Sequence, residues 1–154
     1  NGIQALDLMG RKIVRNNGKL LKVLLAQMET FASSQQSVKD MQPYLRLFAE
    51  SRQRLIETTE TIIVRARENP DEIGAASYAY MELMGLTLYS FMWIRILAAC
   101  IAEISEESQN QDYLTSLIKT GEFFLSRMLP KSKAMVEEIG AGAGPVMNLA
   151  AEQF

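Results

Sequence analysis

Proline placement constrains this chain more than any other feature. The four prolines stand at 43, 70, 130 and 145, so the intervals from Pro43 to Pro70 and from Pro70 to Pro130 lack the residue that breaks a helix from within. Inside those intervals apolar residues recur every three and four positions, whereas alternating runs flanked by hairpin dipeptides are hard to find. The pattern predicts an all-α fold. A chain of 154 residues that is 48% hydrophobic can bury one sizeable core.

Five helical segments follow from the periodicity. The first runs from about Gly2 to Arg15, carries Ile3, Leu6, Met9 and Ile13, and stops at Asn16-Asn17-Gly18, where Asn and Gly accept left-handed backbone. The second presents Leu20, Leu21, Leu24, Leu25, Met28 and Phe31 on one face and fades into a Ser/Gln turn. Pro43 suits the first turn of the third, whose buried face reads Leu45, Phe48, Arg52, Leu55, Ile56, Thr59, Ile62, Ile63 and Ala66. Glu50, Arg54, Glu57 and Arg65 are left for solvent. Glu-Asn-Pro-Asp at 68–71 closes that helix and caps the fourth, expected from about Asp71 to Glu106. Because the second half of the fourth is apolar nearly all round, it is expected to be the most enclosed element. The fifth begins near Asp112 with Tyr113, Leu114, Leu117, Ile118, Phe124, Leu125 and Met128, kinks at Pro130 and resumes to about Ile139. Four long helices with short polar turns predict an up-down four-helix bundle preceded by a short helix, which stands apart and could pack on something else.

Much chemistry is excluded. Sixteen basic against eighteen acidic residues give a net charge of -2, so no positive field draws the chain onto nucleic acid. With no histidine and one cysteine, His-dependent triads and zinc sites are ruled out, no metal site is expected, and Cys100 reads as a small buried hydrophobe. Tyr78 to Ala102 is long enough to span a bilayer, but Glu82 and Arg95 would each cost about 2.5–3.5 kcal/mol near its middle. The stretch is therefore read as a core helix and no membrane span is expected. Each of those two charges is expected to find a partner on another helix. The adjacent pairs Glu106-Glu107 and Glu137-Glu138 point to different sides of a helix and cannot readily share a proton or a metal. Gly140-Ala141-Gly142-Ala143-Gly144-Pro145 lacks both the Gly-Lys-Ser/Thr ending of a phosphate loop and a preceding strand, so it reads as a helix terminator. The nine methionines, and Tyr78, Tyr80, Tyr89, Phe91 and Trp93, read as core filling.

The opening residues Asn1-Gly2-Ile3-Gln4-Ala5-Leu6-Asp7-Leu8-Met9-Gly10-Arg11-Lys12 resemble the stretch that follows Tyr-Glu-Gly-Thr in one branch of the flavin-dependent acyl-CoA dehydrogenases. Residues 139–149 and the final Phe154 resemble the close of the acetyl-CoA dehydrogenase-like helical domain appended to that branch. The resemblance implies that 1–17 is the tail of a catalytic helical domain and 18–154 the appended bundle. It further implies α,β-desaturation of an acyl-CoA thioester, in which a glutamate takes the α-proton and the β-hydride passes to FAD. That glutamate is expected just ahead of Asn1, leaving no catalytic residue here. Asn1 and Gly2 occupy the positions that approach the flavin in the family. Arg11 stands one position off the family's arginine and takes no role. A homo-oligomer and a cytoplasmic location are expected, with the bundle acting in assembly and shielding, itself inactive and without bound FAD, and Ile3, Leu6 and Met9 exposed as orphaned surface. The alternatives are a free-standing helical interaction module and, last, a membrane anchor.

Overall fold

A computed structural model describes residues 2–104 and 109–153, and every regular element among them is helical. Helix α1, Gly2–Leu6, runs directly into a π-helical stretch, Asp7–Val14. The run ends as the Asn-Asn-Gly signal requires: Asn17 and Gly18 take φ of 49° and 66°, and the Gly18 N–H donates to the Ile13 carbonyl at 2.9 Å. Helix α2 spans Lys19–Ser34, and a 3-10 turn at Lys39–Met41 leads into α3, Gln42–Glu68, with Pro43 in its first turn. The Asn69 side chain then accepts the Asp71 N–H at 3.1 Å and opens α4, Asp71–Glu103.

Helix α5, Gln111–Phe123, passes into a π turn, Phe124–Met128, and a 3-10 turn, Leu129–Lys131, before α6, Ser132–Gly140. The α-helical ladder is thus interrupted around Pro130, since proline cannot donate to it and the backbone re-pairs in π and 3-10 registers on either side. A short α7, Gly144–Met147, and a 3-10 turn, Ala151–Gln153, close the described chain.

Helix α4 is the hub. Its Tyr80, Leu83, Ile94 and Leu97 are fully buried with Phe48, Leu55 and Ile62 of α3, Met28 of α2 and Leu125 and Leu129 beyond α5. Each such aliphatic or aromatic side chain contributes about 1.5–3 kcal/mol. Hydroxyls are buried in matched pairs between α3 and α4: Ser51 with Thr87 at 2.9 Å and Thr59 with Tyr80 at 2.7 Å. Thr59 and Thr87 also donate to the Leu55 and Leu83 carbonyls, which spares the core the cost of an unpaired polar group. Gly121 lets α5 sit tightly on α4, because a Cβ there would lie 3.0 Å from Leu97 Cδ2 and 3.1 Å from Trp93 Cε3.

Three expectations are corrected. The amino-terminal helix does not stand apart: Ala5, Met9 and Ile13 are buried against the bundle, leaving Ile3 and Leu6 but not Met9 exposed. Gly10 permits that approach, its missing Cβ position lying 3.3 Å from Ile73 Cγ2. Nor is α4 enclosed all round, because its neighbours cover one side and leave Tyr78, Tyr89 and Met92 56%, 64% and 47% exposed. Arg65 is not a solvent charge: it reaches across to the end of α6, donating through Nη1 to the Gly140 carbonyl at 3.2 Å.

Candidate functional site

Of the two positions expected to approach a flavin, Asn1 lies outside the described residues. Gly2 opens α1, is exposed, and has nothing within 4 Å of where a Cβ would be. Glu106 and Glu107 also lie outside the described residues. Glu137 and Glu138 are both exposed, and among the described residues no three His, Cys, Asp or Glu side chains gather as metal ligands.

Three described groups have their pKa shifted, all upward. Burial pushes the Tyr80 hydroxyl up to about 12, against a smaller opposing effect of its Thr59 hydrogen bond. Tyr44 is also pushed up to about 12, first by burial and then by Glu122, to whose carboxylate it donates at 2.6 Å; Asp40 adds a smaller push. Burial, then the nearby Glu103 carboxylate, raises the Cys100 thiol, so it is a protonated packing group at neutral pH. None of the three is a poised nucleophile or base.

What the fold builds is surface. A groove of about 360 Å³ lies between α2 and α3, with Leu21, Leu25, Ile56 and Ile63 as its apolar lining and Lys22, Glu60 and Arg67 among its polar residues. Also near the carboxyl-terminal end of α3, the glycine-rich turn takes a left-handed Gly142 with φ of 72°. Its Ala143 N–H is taken at 3.0 Å by Glu72 Oε1 of α4. The turn terminates α6 as expected, and the anion beside this amide is the chain's own carboxylate. Arg65 and Glu72 thus clasp the end of α6 to the α3–α4 junction, with the Arg65 cation at the negative end of a helix dipole. Sequence reasoning missed this clasp, since nothing local marks a partner 71 positions away; the glycine at 142 is the one visible trace.

The third surface is the outer side of α4. Glu82 and Arg95, expected in an enclosed segment, are both exposed on its flanks, and Arg95 finds its partner in the ring of Phe31 on α2, 5.8 Å from the centroid. Between those charges the face is apolar and open. By length and composition α4 could cross a membrane, with a mean hydropathy of 1.6 over its best window, only 28% of which is buried in the fold. Beside it, Phe31, Met92, Arg95, Ile96 and Ala99 surround a shallow hollow.

Residues 24–150, more than three quarters of the chain, match a family model described as "Acetyl-CoA dehydrogenase C-terminal like". None of the curated proteins compared with the chain matches it.

Proposed function

The chain belongs to the acetyl-CoA dehydrogenase C-terminal-like family, and from that premise we propose that it is the helical C-terminal part of an FAD-dependent acyl-CoA dehydrogenase, acting in assembly and shielding. The match across 24–150 carries this reading. In the parent enzyme the α-proton would go to a glutamate and the β-hydride to the flavin, both outside the described residues. The exposed Gly2 and the unpoised tyrosines and thiol support a non-catalytic role for the bundle. An interior held by paired hydroxyls between α3 and α4 supports a rigid scaffold.

The proposed division places residues 1–17 with the catalytic body, which would cover Ile3 and Leu6. We place α4 at a protein partner and not in a bilayer, because Glu82 and Arg95 would otherwise enter hydrocarbon. The second reading, a free-standing interaction module, draws on the same open face of α4.

The product of the whole gene should be yellow and should oxidise an acyl-CoA with an artificial electron acceptor, while residues 1–154 alone should be colourless and inactive. A colourless full product with no such activity under flavin supplementation overturns the enzymatic reading and leaves the interaction module.

A further inference from the structure

We infer that the groove between α2 and α3 is a binding site for a single-chain amphipathic carboxylate, its hydrocarbon tail laid along the groove and its anionic head held by Lys22 and Arg67. The inference goes beyond the assembly role proposed above and does not depend on the redox chemistry.

The groove is a recess with a sealed floor. Leu21, Leu25, Thr59 and Ile63 form that floor, each no more than 8% exposed, and the exposed Val64 stands beside them as a wall. Thr59 commits its hydroxyl to the Leu55 carbonyl and Tyr80, so what it turns toward Gly18 is its methyl group. Polar ties join the two helices beyond either end of the recess: Glu29 pairs with Arg52 at 2.6 Å, and Arg67 Nη2 donates to Asn17 Oδ1 at 3.4 Å. A volume of about 360 Å³ with an apolar lining and a few polar groups is that of a small-molecule site. Adjoining helices lie about 8–10 Å apart, so the furrow between them takes in a hydrocarbon chain, whereas a third helix, about 10 Å across, would ride on its rim. From Gly18 to Leu25 the floor runs about 10 Å at 1.5 Å per residue, which suits a tail of about eight to ten carbons.

Charge decides the head group. The whole chain carries -2, yet residues 8–28 hold five basic residues and no acidic one. Lys22 belongs to that run, and Arg67 comes to it from the end of α3. Among the described residues neither has a carboxylate partner. Asn17, fixed by left-handed backbone with φ of 49°, can turn its amide N–H groups to a carboxylate that replaces its long bond to Arg67. Glu60, the acidic residue of the lining, stands seven positions before Arg67, about 10 Å back along α3. The head is therefore drawn to the Asn17–Arg67 end, and the tail runs toward Leu25 and Ile56. A neutral amphiphile would fill the floor and leave both cations to water.

Calorimetric titration of residues 1–154 with sodium decanoate should report one site with a dissociation constant of about 10–100 μM. Shortening the tail to hexanoate should weaken binding about tenfold or more. Decyltrimethylammonium, with the same tail and a cationic head, should also bind about tenfold more weakly. Lys22→Glu and Arg67→Glu should each weaken decanoate binding about fivefold, and together about twentyfold, while Arg95→Glu beside α4 should change it by no more than about twofold. In methyl NMR spectra of the unaltered chain, the shifts on adding decanoate should centre on Leu21, Leu25, Ile56 and Ile63.

No binding up to about 1 mM decanoate, equal affinity for the two head groups, or indifference to both charge reversals overturns the inference. So do shifts centred on Met92 and Ile96 with several ligands per chain, the mark of a detergent spreading over the open side of α4. Binding to phosphatidylglycerol vesicles with no response to dissolved decanoate would likewise overturn it and make the basic end a membrane contact. Both reversed residues are exposed, folding is checked by far-ultraviolet circular dichroism, and the methyl map decides the location even if a variant misfolds. Flavin content of the full gene product reports separately on the enzymatic reading, so the two fail independently.

Discussion

The two sides of α4 are built from similar residue types and meet opposite fates. On the inner side Tyr80, Leu83, Ile94 and Leu97 are sealed against α3 and the carboxyl-terminal helices, while Thr87 and Ser90 keep their hydroxyls bonded within the fold. On the outer side Tyr78, Tyr89 and Met92 are as apolar or aromatic as their counterparts and lie open. Apolar composition therefore says that a surface seeks cover, not which molecule supplies it.

The contrast can be broken most forcefully from inside. Leu83→Ala should cost about 2–5 kcal/mol in urea unfolding, the range for emptying a sealed site. Loss of less than about 0.5 kcal/mol would mean that the inner side is no better packed than the outer. Alkaline pH probes the same interior through Tyr80. With the folded hydroxyl near 12 and the ordinary value at 10.0, the unfolded chain releases its proton first, so this contribution is intact below pH 10 and lost as pH rises from 10 to 12. The loss attributable to Tyr80 should be on the order of 2 kcal/mol. Tyr80→Phe should flatten that part of the stability profile.

Gly121→Ala sharpens the comparison where α5 meets α4. Alanine gains about 1 kcal/mol of helix propensity, but its Cβ meets Leu97 Cγ at 3.2 Å as well as the Trp93 ring, and overpacking of this kind costs about 1–3 kcal/mol. A net destabilisation near 1 kcal/mol in thermal unfolding is expected, and a stabilised variant would show that the interface yields. The smallest effect belongs to the outer side: Met92→Ser, measured on dilute protein, should change stability by no more than about 0.5 kcal/mol.

Most of the punctuation was legible because it depends on single residues. Asn17 and Gly18 turn the chain through left-handed backbone, Asn69 opens α4, and Pro130 disrupts the ladder wherever it stands. The π-helical stretches were not legible, since a change of hydrogen-bond register leaves the apolar spacing almost unaltered. At the amino terminus Ile3, Leu6 and Met9 were expected exposed as one orphaned series, yet Met9 turns inward with Ala5 and Ile13, and Ala5 carries too little hydrophobic weight to announce that inner face. The bare side of α4 and the roles of Arg65 and Glu72 depend on where other helices lie, which periodicity along one helix does not encode. As for the expected flavin contacts, Gly2 stands open and Asn1 falls outside the described residues.

The fastening of Ala143 to Glu72 makes a closed circuit out of an open chain. Everything from the start of α4 through α5 and α6 lies within that ring, whose two ends are held side by side. A single backbone cut at the Gln109–Asn110 turn would therefore yield two pieces that remain docked, and separately expressed halves divided there should find each other and refold into the same bundle.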